Sequence, residues 1–171
     1  MKANSPHRVA KLFVRTQTLQ QMAKIDEINQ RILRELSRDG RLSNLELADR
    51  VGLSPSACLR RVQDLERSGV IKGYRAVLDA GKLGIGFIAY VTVGLNTHTK
   101  AAQEAFERAV ARAPQVTECH NVTGTVEYLL RVEAEDLAAY KHWHTDVLGV
   151  LPQVQSITTF VVMGSPKDRR A

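Results

Sequence analysis

The chain has 171 residues, 44% of them hydrophobic and 25% charged, and a net charge of +6; this is the composition of a soluble globular protein rather than a disordered one, with room for one ordinary domain or two small ones. Its longest apolar run, "IGFIAYVTVGL", falls far short of the ~20 residues of a membrane span, and the opening "MKANSPHRVAKLFVRTQTLQQ" lacks the uninterrupted apolar middle of a secretory signal. The cytoplasm is therefore the expected location, and Cys58 and Cys119, far apart with no CxxC and no histidines at zinc spacing, are expected to be free buried thiols rather than metal ligands.

Residues 1–24 carry five basic and no acidic residues and show little periodicity, so they read as a basic N-terminal extension, flexible or weakly helical. Net charge is +5 there, +2 over residues 25–84 and −1 over residues 85–171. That gradient suits a polyanion-binding front and a neutral back, although a charge run can also be no more than a solvated face.

From residue 25 to 71 the pattern predicts three helices. Asp26 can cap the first, whose apolar Ile28, Ile32, Leu33 and Leu36 share a face, and Gly40 can end it. Ser43 and Glu46 have the spacing of a capping box for the second, with Leu47, Ala48 and Val51 as its apolar stripe. In "VGLSPSACLRRV", Gly52 can make the turn, Ser54 can cap the third helix and Pro55 suits its first position. On that helix Cys58, Val62 and Leu65 lie within roughly 60° of arc, while Ser56, Arg60, Gln63 and Arg67 lie opposite. Gly69 ends it. "VIKGYRAVLD" then reads as a strand and a turn, which makes residues 72–84 a hinge strand and linker.

Beyond Gly84 the order changes to strand, helix, strand, strand, helix, strand, with strands expected at 85–95, 115–123, 126–134 and 154–163. The first helix follows Thr99, presents Ala102, Ala105, Phe106, Ala109, Val110 and Ala113 on one face and stops at Pro114. The second starts near Asp136, carries Leu137, Tyr140, Val147, Leu148 and Leu151, and ends at Pro152. Residues 85–163 thus read as a ferredoxin-like βαββαβ domain followed by a polar tail, 164–171, and the whole chain as α+β. Phe87, Ala89, Val91, Val93 and Leu95 point to one side of the first strand, yet Ile88 and Tyr90 on the other side are also apolar. Both faces of the sheet are expected to be buried, the second by self-association, with cover by the N-terminal extension as the alternative.

The helix pair at 44–63 has the form of a helix-turn-helix, which sets its second helix in the major groove of duplex DNA. Small Ser54 and Ser56 permit close approach of the helix N-terminus, whose free N–H groups attract phosphate. Arg60 can reach a base or the backbone, Gln63 shares its face, and Arg61, Arg67, Lys72 and Arg75 are placed for phosphate. A three-helix protein-binding domain with a basic surface would share the same spacing. In "VTGTVEY", Gly124 permits a turn that brings backbone N–H groups near a ligand carboxylate, and Glu127 could pair with an ammonium group; an ordinary hairpin turn with an exposed glutamate is the plainer alternative.

Catalytic patterns are poor. Cys119 and His120 adjoin on a strand and so face opposite ways. His142 and His144 lie ~200° apart on a helix, unsuited to one metal. "GKLGIG" lacks the spacing and following helix of a phosphate loop, and Trp143 suits packing or an interface.

"GLSPSACLRRVQDLERSGVIKGYRAVLD" closely resembles the recognition segment of the Lrp/AsnC family of prokaryotic transcription factors, and "VTGTVEYLLRV" at 122–132 resembles that family's effector-domain signature. The likeness runs from Ile25 to Met163. It implies an N-terminal DNA-binding domain, a hinge strand and an effector domain that dimerises through its sheet, with dimers assembling further, commonly into octamers, and a small effector, usually an amino acid, bound between dimers. Val122, Thr123, Gly124, Thr125, Glu127 and Tyr128 then fall at the effector site. Glu127 stands where the family most often has Asp, and the extra methylene moves the carboxylate by ~1.5 Å. Asn29 also stands at a position often occupied by Asp.

The expected function is that of a homo-oligomeric, sequence-specific regulator of double-stranded DNA in the cytoplasm, on the nucleoid, answering to an amino acid and needing no cofactor, metal or membrane. It is not expected to be an enzyme. An architectural protein that compacts DNA without a metabolite is the main alternative; RNA binding through the sheet would call for exposed aromatics, of which the chain has few.

Overall fold

The computed structural model describes residues 25–168; the expected N-terminal extension, residues 1–24, lies outside the described residues. The chain divides into two compact units between Ala76 and Val77. No helix among the described residues is long and apolar enough to cross a membrane.

The first unit holds three helices, α1 (Glu27–Arg38), α2 (Asn44–Val51) and α3 (Pro55–Arg67). Their starts follow the expected chemistry. Asp26 Oδ1 accepts from the Asn29 N–H at 2.8 Å, Ser43 and Glu46 complete a capping box in both directions, and Ser54 Oγ accepts from the Ala57 N–H ahead of Pro55 at the first turn. Gly52 ends α2 at φ +72°, a left-handed conformation in which a Cβ is disfavoured. The first helix closes on Asp39, one residue ahead of the expected Gly40. Ile32, Leu47, Ala48, Val51, Cys58 and Leu65 form the core, flanked by Ile28, Leu33, Leu36, Val62 and others.

Residues 70–79, read as a strand and a turn, and the expected hinge strand and linker, 72–84, contain no strand. A strand is defined by a ladder with a neighbour, and no described strand pairs with this segment. Within the first unit, Tyr74 leaves the segment to donate its hydroxyl to Glu66 at 2.9 Å.

The second unit is an antiparallel sheet in the order β2-β3-β1-β4, built from β1 (Phe87–Leu95), β2 (Val116–Asn121), β3 (Tyr128–Ala134) and β4 (Val154–Val161). Helices α4 (Lys100–Val110) and α5 (Leu137–Trp143), capped by Thr99 and Asp136, complete the βαββαβ plan. Ala89, Val91, Val93 and Leu95 of β1 are buried with Tyr128, Leu130 and Val132 of β3 against Phe106, Val110, Tyr140, Trp143 and Leu148. Past Trp143 the chain makes a π-helical turn, His144–Leu148, which changes the angular phase. As a result Leu148 is buried while Val147, expected on the same apolar face, is exposed; Leu137, also expected there, is exposed at the first position of the helix.

One expectation about burial needs correction. Cys58 is buried, but Cys119 is exposed, because β2 is an edge strand with a neighbour on only one side. Among the described residues, the domain's own helices cover one face of the sheet. On β1, Ile88 and Tyr90 remain partly accessible where their neighbours Ala89 and Val91 are fully buried, since both helices of the domain lie on the other side.

Candidate DNA-binding surface and effector site

On α3 the side chains of Ser56, Arg60, Gln63 and Arg67 are exposed, opposite buried Cys58 and Leu65. Ser54 and Ser56 sit together at the helix start with hydroxyls 3.3 Å apart, and the α2 residue Asn44 donates to the Pro55 carbonyl at 2.8 Å, tying the two helix starts together. Leu59, 46% exposed, borders the same face. The sequence does not single it out, because an apolar residue next to Cys58 looks like core until its exposure is known.

The arginines differ in their partners. Arg67 pairs with Asp64 at 2.7 Å within its own helix. Arg61, expected to face phosphate, turns instead to α1, where its Nη1 donates to Asp26 Oδ2 at 2.7 Å and to Asn29 Oδ1 at 3.0 Å. The Asn29 backbone N–H first, and the Arg61 guanidinium next, hold the Asp26 carboxyl below its ordinary range. A cleft of about 630 Å³ opens there, with Asp26, Asn29, Arg60, Arg61, Asp64 and Arg67 among its lining residues. Lys72 and Arg75 are exposed beyond the helix.

In the second unit, residues 122–127 form the β2–β3 turn, closed by the Val122 N–H to the Glu127 carbonyl at 2.8 Å. Thr123, Gly124 and Thr125 are exposed at its tip, and Gly124 has φ +144°, with open space around it. Glu127 is mostly buried, at 17% side-chain exposure, and its carboxylate is doubly engaged. Oε2 accepts from the Leu95 N–H at 2.7 Å, and Oε1 meets His98 Nδ1 at 3.1 Å. A Cβ on Gly94 would strike Ser156 Oγ and stand 3.7 Å from Glu127 Oε2, so glycine there leaves room for this corner to close. His98, Leu95 and Ser156 could not be found from local spacing, since strand register alone brings them to Glu127.

Tyr128, the next residue, points the other way, as alternate strand residues do. It is buried against Phe106, ring centroids 4.5 Å apart, and its hydroxyl donates to Glu107 at 2.8 Å. Burial, reinforced by Glu107, raises its pKa to about 12. Tyr128 therefore supports the turn from below and does not line its open side. On β2, His120 pairs with Glu118 on its own side of the strand, 3.3 Å apart, and not with Cys119.

Comparison with known proteins places both units. Residues 25–72 match the winged helix-turn-helix DNA-binding family and residues 88–171 the Lrp/AsnC ligand binding domain; the described part of the first unit carries the helices and no wing strand. The leucine-responsive regulatory protein of Escherichia coli K12 is 42% identical over 144 residues, 84% of this chain and 88% of its own, and that of Klebsiella pneumoniae matches to the same extent. Among solved structures, a Neisseria meningitidis transcriptional regulator in complex with L-Met superposes with a TM-score of 0.80 at 36% identity, over 84% of this chain and 92% of that one. An AsnC family transcriptional regulator from Agrobacterium tumefaciens gives a TM-score of 0.79 at 31% identity, over 84% and 93%. With both units matched in the order the fold presents them, the chain belongs to the Lrp/AsnC family and is a DNA-binding transcriptional regulator with a ligand-binding domain, not an enzyme.

Proposed function

We propose that this regulator reads duplex DNA with the N-terminal half of α3 and adjusts its affinity or assembly to an amino acid held at the 122–128 turn. The observation that carries the DNA half is the exposed polar face of α3, on which Arg60 has no hydrogen bond or ion pair to another described residue. Ser54 and Ser56 let the helix start approach the groove, and Arg60 and Gln63 reach base edges. Leu59 meets thymine methyl groups. Arg67, Lys72 and Arg75 hold the phosphates. Two copies presenting this helix call for half-sites one helical turn apart, or a multiple of that. A regulator whose target is chromosomal DNA is expected in the cytoplasm, on the nucleoid.

The effector half rests on Glu127, a mostly buried carboxylate beside a glycine turn. An α-ammonium group takes the place of His98 on Glu127 Oε1, and backbone N–H groups of Thr123, Gly124 and Thr125 donate to the ligand carboxylate, with Val122 and Tyr128 setting the turn. The Neisseria relative's complex with L-Met supports a ligand of this class. An effector that prefers one of two arrangements of the oligomer, when DNA prefers one of them too, changes DNA affinity by some factor, and DNA changes effector affinity by the same factor. The second reading, DNA compaction without a metabolite, draws support from the engagement of both Glu127 oxygens inside the chain.

Arg60→Ala tests the first half in DNA binding measured over a range of salt. The expected result is weaker binding and a slope of log affinity on log salt, or a site preference, that shrinks; a phosphate contact contributes about 0.9 to that slope. Titration of L-methionine and L-leucine, followed by thermal unfolding of wild type and Glu127→Ala, tests the second. A rise in midpoint confined to wild type supports the sensor; no response from either, with DNA binding intact, leaves the compaction reading.

A further inference from the structure

The recognition helix is anchored along a single line. Its fully buried side chains, Cys58 and Leu65, are seven residues apart and so lie within about 20° of one another around the axis. Anchors in one row resist lifting of the helix but resist roll about that row poorly. Val62, half-buried, flanks the row on one side. On the other side stands Arg61, about 60° from Cys58, and what holds it is polar: Asp26 Oδ2 at 2.7 Å and Asn29 Oδ1 at 3.0 Å, both from the start of α1. Asp26 is itself held, since its other oxygen caps α1 through the Asn29 N–H at 2.8 Å. The neighbouring Arg67 is occupied by Asp64 and leaves Asp26 to Arg61. With its side chain 30% exposed, Arg61 is turned inward while Arg60 is turned out.

We propose that Arg61 is a positioning residue for DNA recognition: through Asp26 and Asn29 it sets the roll of α3, and with it the aim of Ser56, Arg60 and Gln63, without touching DNA. A roll of about 15° carries a side chain some 6 Å from the helix axis through about 1.5 Å, enough to lose hydrogen-bond geometry at a base edge. Contact with the phosphate backbone tolerates such a shift far better. The clamp therefore acts on discrimination between sequences and leaves general attraction to DNA unchanged.

The test uses the full-length protein, a site selected by its binding from a random-sequence duplex library, and an unrelated duplex, each measured over a range of salt. Arg61→Lys keeps the charge but cannot span both acceptors in the same way; Asp26→Asn removes the negative charge that holds Arg61 and keeps a side chain able to cap α1. The expected result for both is a ratio of selected-site to unrelated-duplex affinity lower by about tenfold, with the salt slope of Arg61→Lys and Arg61→Ala within half a unit of wild type. Asp26→Asn should meanwhile bind the unrelated duplex at least as well as wild type. Partial unfolding lowers both affinities together and leaves their ratio unmoved, so an unchanged ratio in all three variants overturns the proposal. A slope reduced by about 0.9 in Arg61→Ala, with the ratio retained by Arg61→Lys and Asp26→Asn, also overturns it and assigns Arg61 to phosphate.

Discussion

Adjacent or nearby side chains in this protein part company in function because backbone geometry turns them apart. Arg60 faces out and Arg61 faces α1; Glu127 lies at the open corner and Tyr128 in the core. The Tyr128 hydroxyl provides a direct check. Its pKa is raised to about 12, so the stabilisation it brings is complete below the ordinary tyrosine value of about 10 and is lost as pH climbs through about 12. Tyr74 and Tyr140 are also raised by burial, so in a tyrosinate absorbance titration of the folded protein Tyr128 is expected as the last step, near 12, and Tyr128→Phe should remove that last step while the earlier ones remain. A step near 12 that persists in the variant would place the largest shift elsewhere. The helix caps at Asp26, Ser43 and Ser54 were legible in the sequence, since each joins a side chain to a backbone N–H three residues on; Thr99 and Asp136, read only as helix starts, cap in the same way. The pairs Arg61 with Asp26 and His98 with Glu127 were not, because they join residues that only packing or strand register makes neighbours.

Elements were legible where one period persisted. The three N-terminal helices and four strands fall within a few residues of the expected spans, and the turn at Gly52 owes its sharpness to a positive φ. A Cβ at Gly52 meets nothing within 4 Å, so Gly52→Ala isolates the backbone term: a loss of about 1 kcal/mol is expected from chemical denaturation, with no change in the helical spectrum. A neutral substitution would mean that the turn relaxes. Periodicity misled at α5, where the π-helical turn after Trp143 brings Leu148 inward and leaves Val147 outside. It misled again at residues 70–79, because β-type composition marks a segment fit to pair and does not supply a partner.

For the molecule as a whole, the open side of the sheet is the feature with the largest consequence. Tyr90 of β1 stands opposite Phe160 of β4 in the register, and Phe160 is 56% exposed. Arg131 and Glu133 form an ion pair on the β3 stretch of the same face. The proposed assembly, sheet on sheet in dimers and then in larger particles such as octamers, would cover this apolar surface. Phe160→Asp should therefore lower the mass measured by light scattering on a sizing column, while the isolated fold, followed by circular dichroism, stays intact. An unchanged mass would locate self-association on another surface.

Local chemistry in the sequence determined the caps, the glycine turn, the alternating strands and the order of the two units, because these depend on side chains acting on backbone within one or two turns, or on a period that survives without knowledge of the rest. Its two quoted motifs also pointed to the family. Only the tertiary structure decided which arginine of the adjacent pair turns to α1 and which turns outward, what holds the Glu127 carboxylate, and which face of the sheet the helices cover. Those outcomes depend on distances between residues far apart in the chain, and such distances come into being only when helices pack and strands take their register.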